Sequence, residues 1–318
     1  MKVLVTGGAG FIGFHVAKKL LERGDSVVVV DNFNDYYDVS LKISRAELIR
    51  KSGAEIIKMD ISDYEALEKI FRQHEFDKVC HLAAQAGVRY SMEYPFVYSK
   101  SNVLGTHNVL ELCKEHGVKD VVLASSSSVY GNNKKVPFCE DDRVDNPISV
   151  YAATKKSNEE LAYTYHHLYG LNCTCLRFFT VYGPWGRPDM ALFKFTQLML
   201  DDKDIPVFNH GNMKRDFTYI DDIVDGVIAA IDKPFPYEII NLARGECRTL
   251  LEYIDNLEKH LGIKAKIDML PMQPGDVPQT HGDISKAKGL LEYEPEVSIS
   301  EGVKKFVDWY REYYGIKE

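Results

Sequence analysis

A doubly wound α/β fold, a parallel sheet covered by helices on both faces and followed by a smaller mixed α/β lobe, is what this sequence predicts. Three observations predict it. Through the first 130 residues, short continuously apolar runs alternate with longer amphipathic stretches, the pattern of a sheet buried on both sides. A glycine-rich turn, Thr6-Gly7-Gly8-Ala9-Gly10-Phe11-Ile12-Gly13, joins the first run directly to the first amphipathic stretch. Past about residue 176 the texture changes, and prolines and short segments crowd in.

Taken in order, strands are expected at Lys2–Thr6, Ser26–Val30, Glu55–Lys58, Lys78–Leu82 and Asp120–Ser125, each apolar and bounded by polar or glycine residues. Between them the periodicity predicts helices over Phe11–Arg23, 39–52, Tyr64–Gln73 and Val97–Glu115. A helix at Ala152–Tyr169 leads into a further strand at Cys173–Arg177. Later helices are expected at Ala191–Leu200, Ile220–Ile231, Leu250–His260 and Ser300–Tyr314. At roughly 150 residues per domain, a chain of 318 residues makes about two lobes. They are read as 1–175 and 176–318, with strand 173–177 shared with the sheet. No repeat or low-complexity linker separates them, so close packing is expected.

Composition narrows the partners. The chain has 39 Lys plus Arg against 47 Asp plus Glu, a net charge of −8, which argues against a nucleic-acid or anionic-membrane binder. Its six cysteines show no C-x-x-C and no zinc spacing with histidine, so they read as buried thiols in a reducing compartment. The His166-His167 pair likewise has no metal spacing, and no metal is expected. No apolar run approaches the roughly 18 residues of a membrane helix, and the N-terminus has no signal-like segment. A cytoplasmic protein is the expectation.

The glycine-rich turn carries the first chemistry. Gly7, Gly10 and Gly13 let the backbone turn tightly, approach a pyrophosphate and pack helix against strand. Phe11, Ile12 and Gly13 open a helix whose N-terminus presents free N–H groups and a positive dipole end to an anion. Asp31 ends the second strand 18 residues past Gly13, placed to accept from ribose hydroxyls. Its carboxylate would repel a 2′-phosphate, and no Arg or Lys follows immediately, so NAD is favoured over NADP. The sheet is therefore of Rossmann type. Asp60 and Ile61 are candidate adenine contacts, and Leu82, Ala83 and Ala84 are small enough for a cofactor to lie close. Asn32 and Phe178 complete the cofactor-side candidates.

Tyr151 and Lys155, at i and i+4, share one helix face. An ammonium one turn from a phenol favours phenolate, which lowers the tyrosine pKa toward the working pH for removing a hydroxyl proton. Just upstream, Ser125-Ser126-Ser127-Ser128 ends the fifth strand at the sheet edge where open α/β folds bind ligands. A serine hydroxyl there can hydrogen-bond the reacting oxygen beside Tyr151.

Glycine triplet and Tyr-x-x-x-Lys together resemble the extended short-chain dehydrogenase/reductase superfamily and, within it, the nucleotide-sugar epimerases. More narrowly, the chain resembles the UDP-glucuronate 4-epimerase family along most of its length. The segments that carry this are DNFNDYYD (31–38), HLAAQAGVRYS (81–91), ASSSSVYG (124–131), YAATKKSNE (151–159), LRFFTVYGPWGRPDMALFKF (176–195) and RDFTYIDDIV (215–224). The resemblance implies that Tyr151 is the base, Lys155 its partner and a ribose ligand, and Ser126 a hydroxyl donor. It also implies a UDP-sugar that passes through a 4-keto form, with NAD regenerated in each cycle.

Related decarboxylases carry a glutamate at the end of the strand-end motif, and related 4,6-dehydratases an Asp-Glu pair. Here Ser127 and Ser128 are neutral at both positions and can donate to a substrate carboxylate. Arg89 and Arg187 are the leading partners for a sugar carboxylate or the diphosphate, since the guanidinium fork matches both. By resemblance, Arg215 is the phosphate arginine, Val207 and Asn209 lie in the uracil-binding stretch, and Asp276 is a ribose contact. Thr180 stands where galactose-type epimerases usually carry Asn. A neutral-hexose or N-acetylhexosamine 4-epimerase, a UDP-glucuronate decarboxylase, and a non-catalytic NAD sensor remain open as other readings. Related enzymes pair helices 97–115 and 152–169 into a four-helix interface, so a homodimer is expected.

Overall fold

In the computed structural model, residues 1–273 and 275–316 are described. The first half builds β1 (Lys2–Thr6), α1 (Phe11–Glu22), β2 (Ser26–Asp31), α2 (Val39–Lys51), β3 (Glu55–Lys58), α3 (Tyr64–Gln73) and β4 (Lys78–His81). Then come α4 (Tyr90–Glu93), α5 (Pro95–Tyr98), α6 (Gly105–Glu115), β5 (Asp120–Ser126), α7 (Val150–Tyr169) and β6 (Asn172–Phe178). The remainder contributes β7 (Thr180–Tyr182), α8 (Ala191–Leu200), β8 (Asp204–Val207), β9 (Lys214–Arg215), β10 (Phe217–Tyr219) and α9 (Ile220–Asp232). It ends with β11 (Tyr237–Leu242), β12 (Arg248–Thr249), α10 (Leu250–Leu261), β13 (Lys266–Met269), α11 (Ser285–Leu291) and α12 (Ile299–Tyr314).

Seven of these strands form one parallel sheet in the order β11-β6-β5-β4-β1-β2-β3. Both faces are buried, as continuous apolar runs require. Val3, Val5, Val27 and Val29 point into one core with α1, α2 and α9, while Leu4, Val28 and Val30 point into the other with α3, α6 and α7. The strand order reverses between β1 and β4, which opens a crevice at the carboxyl ends of the strands.

Two differences from the sequence expectation have physical causes. The helix expected over 97–115 starts at Pro95 and is broken by a π-turn at Ser99–Leu104, where buried Asn102 bonds the Gln85 backbone in both directions. The C-terminal half also gives the sheet more than the shared strand. β11 pairs with β6 at its edge, and its short YEIINL run follows a Pro-Phe-Pro break that hid it. The face holding Val3 and Val5 continues into Phe193, Tyr253 and Phe306 of α8, α10 and α12, so the two halves share a core. Among the described residues, no helix is long and apolar enough to cross a membrane.

Candidate active site

A cleft of about 690 Å³ crosses the carboxyl ends of the central strands and runs on between α8, β9 and the 275–280 segment. That volume suits a small-molecule or cofactor site. At one end lies the glycine cradle. Gly7 has φ +73°, and a Cβ there would sit 2.7 Å from the Ala83 backbone. A Cβ on Gly13 would lie 2.2 Å from the Gly7 carbonyl, so the first turn of α1 can dock onto the loop only without a side chain. Asp31, buried at the end of β2, accepts from Ala9 N at 3.1 Å and Phe33 N at 2.9 Å. Burial pushes its carboxyl pKa up. These features fit a dinucleotide: a backbone cradle that a Cβ would fill, a free helix N-terminus and a carboxylate one strand away.

Asp60 is held as a turn residue, accepting from Ser62 N at 2.9 Å and Ser62 Oγ at 2.8 Å, with Asn32 Nδ2 at 3.4 Å. Both Asp60 and Ile61 still line the cleft, with Leu82, Ala83, Ala84 and Phe178. Buried His81, between Thr6 Oγ1 at 2.7 Å and Thr106 Oγ1 at 2.9 Å, supports the floor, and burial brings its pKa down to about 3.

The reacting end gathers on β5 and α7. Ser149 caps α7 through Ala152 N, which puts Tyr151 and Lys155 in its first two turns. Ser126 accepts from Ser128 N at 3.1 Å, donates to Ser128 Oγ and stands beside the Tyr151 phenol. Lys155 is buried and donates to the Ala124 carbonyl at 2.8 Å. Burial brings its pKa down to about 8. The expected effect of Lys155 on Tyr151 is not what dominates: burial raises the Tyr151 pKa, and the influences that lower it are Ser126 and Arg187. The ammonium turns to a strand-end carbonyl instead of the phenol. Behind this wall, Glu159 and Arg177 form a bidentate pair at 2.8 and 2.9 Å, and Ser125 Oγ donates to Glu159 at 2.6 Å. Both charged residues are buried.

The arginines divide between two ends. Arg187 grips Asp189, with Nε–Oδ1 at 3.0 Å, and Asp189 also accepts from the Tyr36 hydroxyl at 3.1 Å. This group faces Tyr151. Arg89 pairs with Asp276 at 2.7 Å and stacks over Phe208 at 4.6 Å. Arg215 is in the same neighbourhood and donates to the Lys214 carbonyl at 2.9 Å and the Pro278 carbonyl at 3.3 Å. Ser127, Ser128 and Thr180 line the wall between the ends.

Of the sequence-named residues, Val207 and Asn209 are not on the cleft wall. Val207 is fully buried in the core, and Asn209 is in a turn, donating to the Asn212 carbonyl at 2.8 Å. Their neighbours Pro206 and Phe208 line the cleft instead: strand alternation turns Val207 of β8 away, and Asn209 leaves the wall in the tight turn that follows, at φ +52°. The cleft is also lined by Tyr36, Lys42, Asp189 and Phe208, which the sequence did not single out. Among the described residues, no cluster of three or more His, Cys, Asp or Glu could hold a metal ion.

The family model described as GDP-mannose 4,6 dehydratase matches residues 4–306. A UDP-glucuronate 4-epimerase of Arabidopsis thaliana is 51% identical over 330 aligned residues, covering 98% of this chain and 76% of that protein. The crystal structure of a UDP-glucuronic acid 4-epimerase from Bacillus cereus, in complex with UDP-glucuronic acid and NAD, superposes with a TM-score of 0.93. It is 39% identical and covers 99% of this chain and 100% of its own. A UDP-glucose 4-epimerase from Thermotoga maritima, with UDP-glucose, gives a TM-score of 0.90 at 36% identity, covering 99% and 100%. Cradle, dyad and full-length likeness agree, and the chain belongs to the GDP-mannose 4,6 dehydratase family, in the branch of the UDP-glucuronate 4-epimerases.

Proposed function

We propose that the protein is an NAD-dependent UDP-glucuronate 4-epimerase that interconverts UDP-glucuronate and UDP-galacturonate. One observation carries the choice of reaction within the family: the strand-end wall beside Tyr151 is Ser126, Ser127 and Ser128, a neutral hydroxyl at each of the three positions. A 4,6-elimination needs an acid/base to carry a proton there, and this wall has none to offer. Gly7, Gly10, Gly13 and Asp31 hold NAD in this reading, together with Asn32, Asp60, Ile61, Leu82, Ala83, Ala84 and Phe178. When bound, NAD supplies a hydride acceptor for C4 whose oxidised ring is positively charged, which favours phenolate.

Tyr151 takes the C4 hydroxyl proton and returns it after the sugar has turned over. Ser126 holds the reacting oxygen in line with the phenol. Lys155, anchored on Ala124, keeps a positive charge beneath the site. A 4-keto uronate is a β-keto acid that loses carbon dioxide readily, so the carboxylate must be held without helping that step. Arg187 stands at the end where it would lie, and Ser127, Ser128 and Thr180 line the adjoining wall. Arg89 and Arg215, at the other end, take the diphosphate, and Asp276 a ribose hydroxyl.

The lobes divide this work. Residues 1–175 mainly hold NAD and 176–318 mainly hold the UDP-sugar. A homodimer is part of the same proposal, supported by exposed Phe96, Val97 and Leu104 along the 95–115 helix and by Tyr163 and Leu168 on α7.

Incubation of the purified protein with NAD and UDP-glucuronate, followed by chromatographic resolution, tests the reading. UDP-galacturonate is the expected product. A UDP-pentose as main product would mean decarboxylation, and conversion of UDP-glucose alone would mean a neutral-hexose epimerase.

A further inference from the structure

Arg45 on α2 is the largest side chain with no exposure, and none of the roles above uses it. Among the described residues, no carboxylate pairs with it. Its partners are four oxygens from three parts of the fold. Nη1 donates to the Ala9 carbonyl inside the glycine cradle at 3.1 Å and to the Tyr37 hydroxyl at 2.8 Å. Nη2 donates to the Trp185 carbonyl and, at 3.1 Å, to the Gly186 carbonyl. Nε has no partner. A buried cation held only by neutral oxygens is costly, so the chain keeps it where geometry, not charge neutralisation, is served.

The second anchor is a strained loop. Trp185 has φ +61°, a left-handed conformation that bulky residues rarely adopt, between Gly183 at φ +142° and Arg187. Arg45 grips the carbonyls of Trp185 and of the residue after it, and His15 Nε2 meets the Pro184 carbonyl at 3.0 Å. The next residue is Arg187, which faces Tyr151. On the other side, Ala9 donates its N–H to Asp31 while its carbonyl accepts from Arg45.

We propose that Arg45 is a positioning residue that fastens the glycine cradle to the 183–187 loop, so that the cradle keeps its cofactor-holding shape and Arg187 its place by Tyr151 through one guanidinium. The inference rests on the cleft being the joint site of NAD and a UDP-sugar. Lysine cannot replace this fork, because an ammonium on a single stem cannot span acceptors on both sides.

The test compares wild type with Arg45→Lys, which keeps the charge, and with Tyr37→Phe, which removes one acceptor and leaves Arg45 in place. NADH affinity is read by fluorescence, kcat and KM by conversion of UDP-glucuronate, and folding by thermal melting. Arg45→Lys is expected to weaken NADH binding at least fivefold and lower kcat at least tenfold, with KM changed less than threefold. Tyr37→Phe is expected to lower kcat twofold to fivefold at an unchanged melting temperature, and it decides the matter if Arg45→Lys does not fold. A folded Arg45→Lys with a lower melting temperature but wild-type kcat and NADH affinity would overturn the proposal, as would an unaltered Tyr37→Phe. If the wild type binds NADH but leaves UDP-glucuronate unchanged, the functional reading fails and the NADH arm still decides the role of Arg45.

Discussion

Replacing Glu159 by Gln removes the charge from the bidentate pair behind the reacting end. Arg177 would then be buried with the Tyr130 ring face, at 4.8 Å, and the Glu140 carbonyl, at 3.4 Å, as its other neighbours. Breaking a buried ion pair from one side typically costs about 3–5 kcal/mol, because the remaining charge cannot reach water. Both side chains here are 1% exposed, so the upper half of that range applies. With a domain stability of roughly 5–15 kcal/mol, such a loss lowers the melting temperature by about 5–10 °C. The change also replaces the charged acceptor of Ser125, next to Ser126 on the strand end, by a weaker neutral one, so kcat should fall at temperatures where the variant is folded. The assay is urea unfolding of wild type, Glu159→Gln, Arg177→Met and the double variant Glu159→Gln/Arg177→Met. The double variant should be much less damaged than the sum of the single changes, since it leaves no orphaned charge. A loss below about 1 kcal/mol for Glu159→Gln, or additive single effects, would refute this account of the pair.

The remaining predictions concern the dyad, the cradle and pH. Tyr151→Phe should lower kcat by about 10²–10⁴-fold and spare NADH binding measured by fluorescence, the range for removing a general base. Gly13→Ala should abolish NADH binding, because its Cβ would lie 2.2 Å from the Gly7 carbonyl. Lys155→Met should remove turnover yet raise the melting temperature at pH 7, since it relieves a buried ammonium. The folded pKa of Lys155, about 8, lies below the ordinary 10.5, so the native state binds fewer protons than the unfolded state between those values. Wild-type stability relative to Lys155→Met should therefore climb from pH 8 to 10.5. The buried histidines give the acid side: His15 and His81, each brought down to about 3, make stability fall as pH drops below about 6.5. Melting curves between pH 7 and 4 check that slope.

Much of the fold could be read from the chain because its signals are local. A strand buried on both faces is apolar along its central run, and β1, β2, β4 and β5 follow that rule. The glycine triplet announces itself because no other residue fits where Gly7 and Gly13 lie. β11 was not visible, since its short YEIINL run follows a Pro-Phe-Pro break and its partners in β6 lie 64 positions back in the chain. Val207 and Asn209 lie off the cleft wall while Pro206 and Phe208 line it, because which residues of a strand and of its following turn face a cleft is set by register, which sequence alone does not fix. The two ends of the cleft were equally hidden. Only the fold shows Arg89 beside Asp276 and Arg187 beside Asp189, and only the fold shows that burial raises the Tyr151 pKa while Lys155 turns to the Ala124 carbonyl.

The central claim is that C4 of the sugar loses its hydrogen as hydride and regains the same hydrogen on the opposite face. UDP-glucuronate deuterated at C4, incubated with the protein and NAD, tests it directly by mass spectrometry and proton NMR of the product. The account predicts UDP-galacturonate that keeps the deuterium at C4. Loss of the label to solvent, or a decarboxylated UDP-pentose in place of the epimer, would contradict it.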